Sequence, residues 1–199
     1  MHKPALTQVP IDATIAKRWS GRAFDASKTV SQEQVIALLE AARWAPSCYG
    51  DQPWRFIVWN RNADAAAWQR AFDCLVPGNQ AWVKDAPVLL LVAADSLFNH
   101  NDAENRWGQY DTGAAAENLC LQAASMGLMA HQMGGFDPKM AREAFAIPEQ
   151  YTLMAMIAVG NPADIATLQG EILERETAAR TRRPLGELFF SNVWGSPAA

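Results

Sequence analysis

The chain has 199 residues, of which 50% are apolar and 19% charged, with a formal net charge of −4. That composition supports a packed core in one domain, or in one domain with an extended arm, and excludes wholesale disorder. The acidic balance argues against a nucleic-acid partner, which would need a strongly basic face.

Ser31 to Trp44 reads as an amphipathic helix. Ser31 and Gln34 have capping-box spacing, and Val35, Leu38, Leu39 and Ala42 recur at i, i+3, i+4 and i+7. Pro46 closes it, because the residue before a proline is pushed out of helical geometry. "RFIVW" predicts a strand, and "ADAAAWQRAFDCL" a helix with Trp68, Phe72 and Leu75 on one face. "APVLLLVAAD" predicts a strand buried on both faces. Gly108 to Met126 predicts a third helix with an inner stripe of Ala116, Leu119, Cys120 and Ala123. "LMAMIAVG" predicts another buried strand, closed by Gly160 and Pro162. From Glu171 to Arg183 the chain is charged; after Pro184 it turns aromatic, with Leu188, Phe189, Phe190 and Trp194. Such a tail must fold back on its own domain or reach across to a partner subunit.

Cys48, Cys74 and Cys120 show no CxxC spacing and cannot all pair, which suits a reducing compartment. The N-terminus carries no long apolar h-region, and "APVLLLVAA" is too short to cross a membrane, so the expectation is a cytoplasmic protein without a membrane partner. There is no GxGxxG after a strand, no GxxxxGK[ST], no HExxH and no GxSxG, and no pattern of metal ligands. What remains is scattered. "KRWSGRAF" packs three cations and a serine into a turn-like stretch, and Arg180, Arg182 and Arg183 form a second basic cluster. Guanidinium groups match phosphate oxygens in forked pairs, although each cluster alone also reads as solvated surface. "HQMGGF" sets two glycines before a helix start at Asp137–Pro138, where a backbone either approaches a ligand or simply turns.

In order, "KRWSGRAFD", "LLEAARWAPSCYGDQPWRFIV", "GNQAWVKDAPVLLLV", "HQMGGFD" and "RTRRPLGEL" resemble the FMN-dependent nitroreductase family, from about Lys17 to Trp194. The resemblance implies an α+β, three-layer α/β/α fold whose central, mostly antiparallel sheet is flanked by helices. It implies one domain over 1–199, with 171–199 as an arm exchanged across a homodimer and FMN at the interface. Arg18, Trp19, Ser20 and Arg22 would come from one chain together with Arg180 and Arg182, the phosphate falling to Arg18, Arg180 and Arg182. Arg22 would reach the pyrimidine edge near N1 and the C2 carbonyl, and Asn79 the polar edge of the ring. Gly134 would present its N–H to N5, with Gln132, Met133 and Gly135 lining the same wall. Pro46, Ser47, Cys48 and Gly50 would come from the partner chain and lie against the ring. In some relatives a lysine stands where this chain has Trp82, and a glutamate where it has Gly134.

The implied activity is ping-pong oxidation of NAD(P)H and reduction of a nitroaromatic, quinone or similar electron-poor acceptor, with no side chain assigned as catalytic. Rival readings are a flavin-binding sensor or store, a same-fold flavoenzyme with another reaction such as reductive dehalogenation, and a hydrolase using Cys48 with His131 or His100. Against the last, a cysteine just past a helix C-terminus sits at the wrong end of the dipole for activation.

Overall fold

A computed structural model describes residues 3–198. In chain order it contains α1 (Ala13–Lys17), α2 (Gln32–Arg43), β1 (Trp54–Asn60), α3 (Ala65–Asp73) and α4 (Pro77–Val83). There follow β2 (Val88–Asp95), α5 (Gly108–Ser125), β3 (Met129–Met133), α6 (Pro138–Ala144), β4 (Tyr151–Gly160) and α7 (Gly170–Thr177). The four strands form one sheet in the order β1-β2-β4-β3, and every neighbouring pair is antiparallel.

The fully buried β2 organises the layers, because successive side chains of a strand point to opposite faces. Val88, Leu90 and Val92 pack with Val35 and Leu38 of α2 and Leu119 of α5. Leu89 and Leu91 pack on the other side with Trp68 of α3, Trp82 of α4 and Ala141 of α6. Helices therefore cover both faces, the expected three-layer α+β arrangement. A bulge follows Val92: it pairs with Ala155 while Ala93 pairs with Leu153, which leaves Met154 over.

Local chemistry explains the element ends. Ser31 Oγ accepts the Gln34 N–H at 3.1 Å, and Gln34 Oε1 accepts the Ser31 N–H at 2.9 Å, so the predicted capping box is formed. The stripe Ala116, Leu119, Cys120 and Ala123 is buried on α5, as its spacing predicts. At 18 residues this helix is about 27 Å long, and it runs from the loop after α2 to the N-terminal segment. Three short helices escaped the sequence reading: α1, α4 and α7 are five, seven and eight residues long, too short for a periodic stripe. Beyond α7 the chain has one 3₁₀ turn, Leu185–Glu187, and leaves Leu188, Phe189, Val193 and Trp194 exposed.

Leu119 is fully buried in the layer between α5 and the sheet. Leu119→Ala is expected to cost about 3 kcal/mol in urea unfolding at fixed protein concentration, as a buried leucine truncation does. A loss below about 1 kcal/mol would mean that this layer is not packed as described.

Candidate functional site

Arginines far apart in sequence converge at the C-terminal end of α1. Arg18 caps that helix and leaves it in an extended conformation, with ψ 130°. Its Nε lies 3.2 Å from Glu117 Oε1 on α5, and its Nη1 donates to Ser20 Oγ at 3.4 Å. Arg180 arrives from the other end of the chain. Its Nη2 donates to the Arg18 carbonyl at 3.0 Å, and its Nη1 to the carbonyls of Ala16, at 3.1 Å, and Lys3. These contacts satisfy main-chain oxygens left open at the α1 terminus, where the helix carries partial negative charge. Burial, followed by the like charges of Arg18 and Arg182, pulls the Arg180 guanidinium below its usual value. Arg182 itself is exposed and, among the described residues, bonds only its neighbour's carbonyl, Thr181 O at 2.8 Å.

Beside this cluster, the loop of Gly21 and Arg22 is gripped on two sides. Both carboxylate oxygens of Glu176 accept the Arg22 backbone N–H, at 3.0 and 2.9 Å. His131 Nδ1 lies 2.9 Å from the Gly21 carbonyl. A carbonyl only accepts, so Nδ1 carries the proton. Burial is the main cause that brings His131 down to about 4, with Arg22 and Arg18 adding to it, so the ring is neutral near pH 7. Trp82 packs 4.5 Å from His131 and stacks on Phe24, with the Arg22 guanidinium 5.9 Å from its ring. Where some relatives place a lysine, this chain therefore has a core indole beneath an arginine.

The glycine pair makes the adjoining wall. Gln132 is exposed, and its Nε2 donates to Cys120 Sγ at 3.4 Å. Burial pushes the Cys120 thiol up to about 12, so it is neutral and chemically quiet. The Met133 side chain is buried in the core, which leaves its backbone as the part that can face a ligand. Gly134 has open space where a side chain would stand. Gly135, by contrast, would drive a Cβ to 2.7 Å from Asn79 Nδ2, which donates to its carbonyl at 2.9 Å. Asn79 and Gly135, 56 residues apart in sequence, are thus one unit.

The loop after α2 lies elsewhere. Cys48 N–H donates to Asp111 Oδ2 at 2.9 Å, and the Gln52 N–H to Ser47 Oγ at 3.0 Å. Tyr49 and Gly50 both have positive φ, 56° and 67°; for tyrosine this is a strained conformation of the kind found at functional sites. Tyr49 is exposed and packs edge-on to Phe98 and His100. Asp111 is six residues before Glu117 and nine before Cys120 on the same helix, which puts about 9 to 14 Å of helix between this loop and the arginine cluster. Along α5 the chain therefore meets Cys48 at Asp111, Arg18 at Glu117 and Gln132 at Cys120.

Glu176, His131, Trp82, Glu117 and Lys3 were missed as parts of this arrangement. Glu176 sits in a polar stretch whose natural reading is solvated surface, and nothing local marks a carboxylate that is buried only by a long-range fold; Glu117 is half-exposed on α5 and is marked only by its pairing with Arg18. No hydrogen bond links Cys48 to a histidine among the described residues, and the His131 Nδ1–H is committed to Gly21. No group of three or more His, Cys, Asp or Glu that could hold a metal is found among the described residues, and no described helix is long and apolar enough to cross a membrane.

The family model described as "Nitroreductase family" matches residues 15–161. A 15.4 kDa protein of Mycolicibacterium smegmatis, encoded in the ask 5′ region, is 36% identical over 149 residues, covering 72% of this chain and 99% of that protein. The major NAD(P)H-flavin oxidoreductase of Aliivibrio fischeri is 32% identical over 93 residues, 47% of this chain and 43% of that one. The crystal structure of an oxidoreductase containing FMN superposes with a TM-score of 0.89 at 32% identity, covering 96% of each chain.

The buried histidine predicts a pH signature. Its folded value is about 4 and its unfolded value near 6.5, so the unfolded chain binds the extra proton between them. Stability is then fully present above about pH 6.5 and falls, by on the order of 3 kcal/mol, as pH drops through that window. His131→Gln keeps a donor for Gly21 and should flatten this part of the slope in urea unfolding between about pH 7 and about pH 5. An unchanged slope would show that His131 titrates normally.

Proposed function

The chain belongs to the nitroreductase family, and we propose that this oxidoreductase uses FMN to pass electrons from NAD(P)H to an electron-poor acceptor such as a nitroaromatic or a quinone, in ping-pong order. The observation that carries the reading is the meeting of Arg18, Arg180 and Arg182 beside Ser20. Three guanidinium groups in one place, with Glu117 paired to Arg18, form a surplus of positive charge that a phosphate neutralises by charge-assisted hydrogen bonds. The open side of Gly134 and the close seating of Gly135 on Asn79 suit a flat ring laid against backbone.

When bound, FMN supplies a ring that exchanges hydride at N5 and carries the resulting negative charge at N1–C2=O. The residues of this chain bind and orient it. Arg18, Ser20, Arg180 and Arg182 hold the phosphate, with Trp19 beside them, and Arg22 sets a fixed positive charge at the pyrimidine edge. Asn79 and the Gly134 N–H address the polar edge and N5, and Gln132, Met133 and Gly135 complete the wall. Pro46, Ser47, Cys48 and Gly50 cover the ring of a second copy's site. This last assignment rests on the family resemblance and makes the working unit a homodimer. The apolar tail supports the same unit: Leu188, Phe189, Val193 and Trp194 are exposed in one chain, and because residues 176–180 are bonded within their own chain, the part of the 171–199 arm that would cover itself on the partner is the stretch beyond them.

Purified protein is expected to be yellow, or to become so on adding FMN, and to bleach when NADH or NADPH is added without oxygen. Cys48→Ser should leave that bleaching intact. A protein that stays colourless after FMN is added contradicts the proposal, and colour without bleaching would assign the flavin a storage or sensing role.

A further inference from the structure

We propose that Glu176 is a positioning residue for the flavin site: its buried carboxylate, carried in on α7, holds Arg22, so that flavin binding and seating of the 171–199 arm form one equilibrium. The inference rests on the FMN reading above and adds a residue to it.

Glu176 is 1% exposed. A carboxylate in that position is tolerated only when its oxygens are paired. All of its side-chain partners belong to Arg22: the backbone N–H, shared between both oxygens at 3.0 and 2.9 Å, and Nη1 at 3.9 Å. The approach depends on the residue before it. A Cβ at Gly21 would stand 3.0 Å from Glu176 Oε1 and 2.3 Å from Met129 Sδ, so no side chain fits there while Glu176 is seated. With His131 holding the Gly21 carbonyl from the opposite side, the dipeptide is fixed at both its carbonyl and its amide. The direction in which Arg22 leaves the backbone is set by that grip.

The same segment governs the phosphate end. Lys3 Nζ donates to the carbonyls of Glu176, at 2.6 Å, and Ala178, which fixes the last turn of α7. Four residues beyond Glu176, Arg180 donates to the carbonyls of Ala16 and Arg18. Residues 176–180 therefore hold both cationic contacts of the site, Arg22 through a carboxylate and Arg18 through its carbonyl. Loosening α7 releases the two together. A glutamine at 176 keeps the shape but offers one acceptor and turns its own N–H groups toward the other donor.

The test measures FMN affinity and the midpoint potential of the bound flavin in E176Q, R22Q and the double variant. E176Q and R22Q are each expected to bind FMN about tenfold more weakly, with a lower potential as the fixed charge leaves N1–C2=O, and the double variant should match R22Q within about twofold. Wild-type affinity and potential in E176Q, or losses that multiply in the double variant, would overturn the proposal. Should E176Q fail to fold, E176D keeps the charge but shortens its reach; about threefold weaker binding with a potential shifted the same way supports the role, and unchanged values overturn it. If the unmodified protein takes up no FMN, the functional reading falls together with this one. If it takes up FMN normally and E176Q matches it, only this inference falls.

Discussion

The structure depends on holding like charges together. Arg18 and Arg180 repel one another, and what gathers them is the main chain: Arg180 donates to the carbonyls of Lys3, Ala16 and Arg18. The carbonyls of Ala16 and Arg18 lie at the end of α1, where the helix leaves its last oxygens without intrahelical partners. The contact therefore satisfies a helix end, ties the C-terminal segment to the N-terminal one, and leaves a local excess of positive charge.

A single helix acts as the ruler for the rest of the site. α5 carries Asp111, which receives the loop after α2, and further along Glu117 and Cys120, which meet Arg18 and Gln132. Because the helix is rigid and buried in the layer beneath the sheet, the two groups stay apart within one chain. The proposed homodimer would set the loop of one copy against the arginines of the other. In such an arrangement the strained Tyr49–Gly50 turn and its exposed aromatic neighbours lie at the rim of the site.

Much of the fold was legible in the sequence where local chemistry decides structure. The capping box of Ser31 and Gln34, the unbroken aliphatic run of β2 and the α5 stripe each satisfy a rule that operates within a few residues. The short helices α1, α4 and α7 are too short for such a stripe, although Asp12 caps α1 and Pro77 opens α4. The site divides in the same way. Arginine clusters, a glycine pair and the proline-flanked loop stand out because residues of those types are costly to place without a reason. Glu176 and His131 do not stand out, since their roles arise from partners more than a hundred residues distant. Met133, which the resemblance places on the wall, has its side chain in the core through strand alternation, so only its backbone is left to line that wall.

The phosphate cradle is most directly tested by comparing FMN with riboflavin, which has the same ring and no phosphate, in equilibrium binding to the apoprotein. Held by the three arginines, FMN should bind at least about 100-fold more tightly than riboflavin, and Arg180→Met should close most of that gap. Equal affinities for the two flavins would contradict a phosphate site at the meeting of Arg18, Arg180 and Arg182.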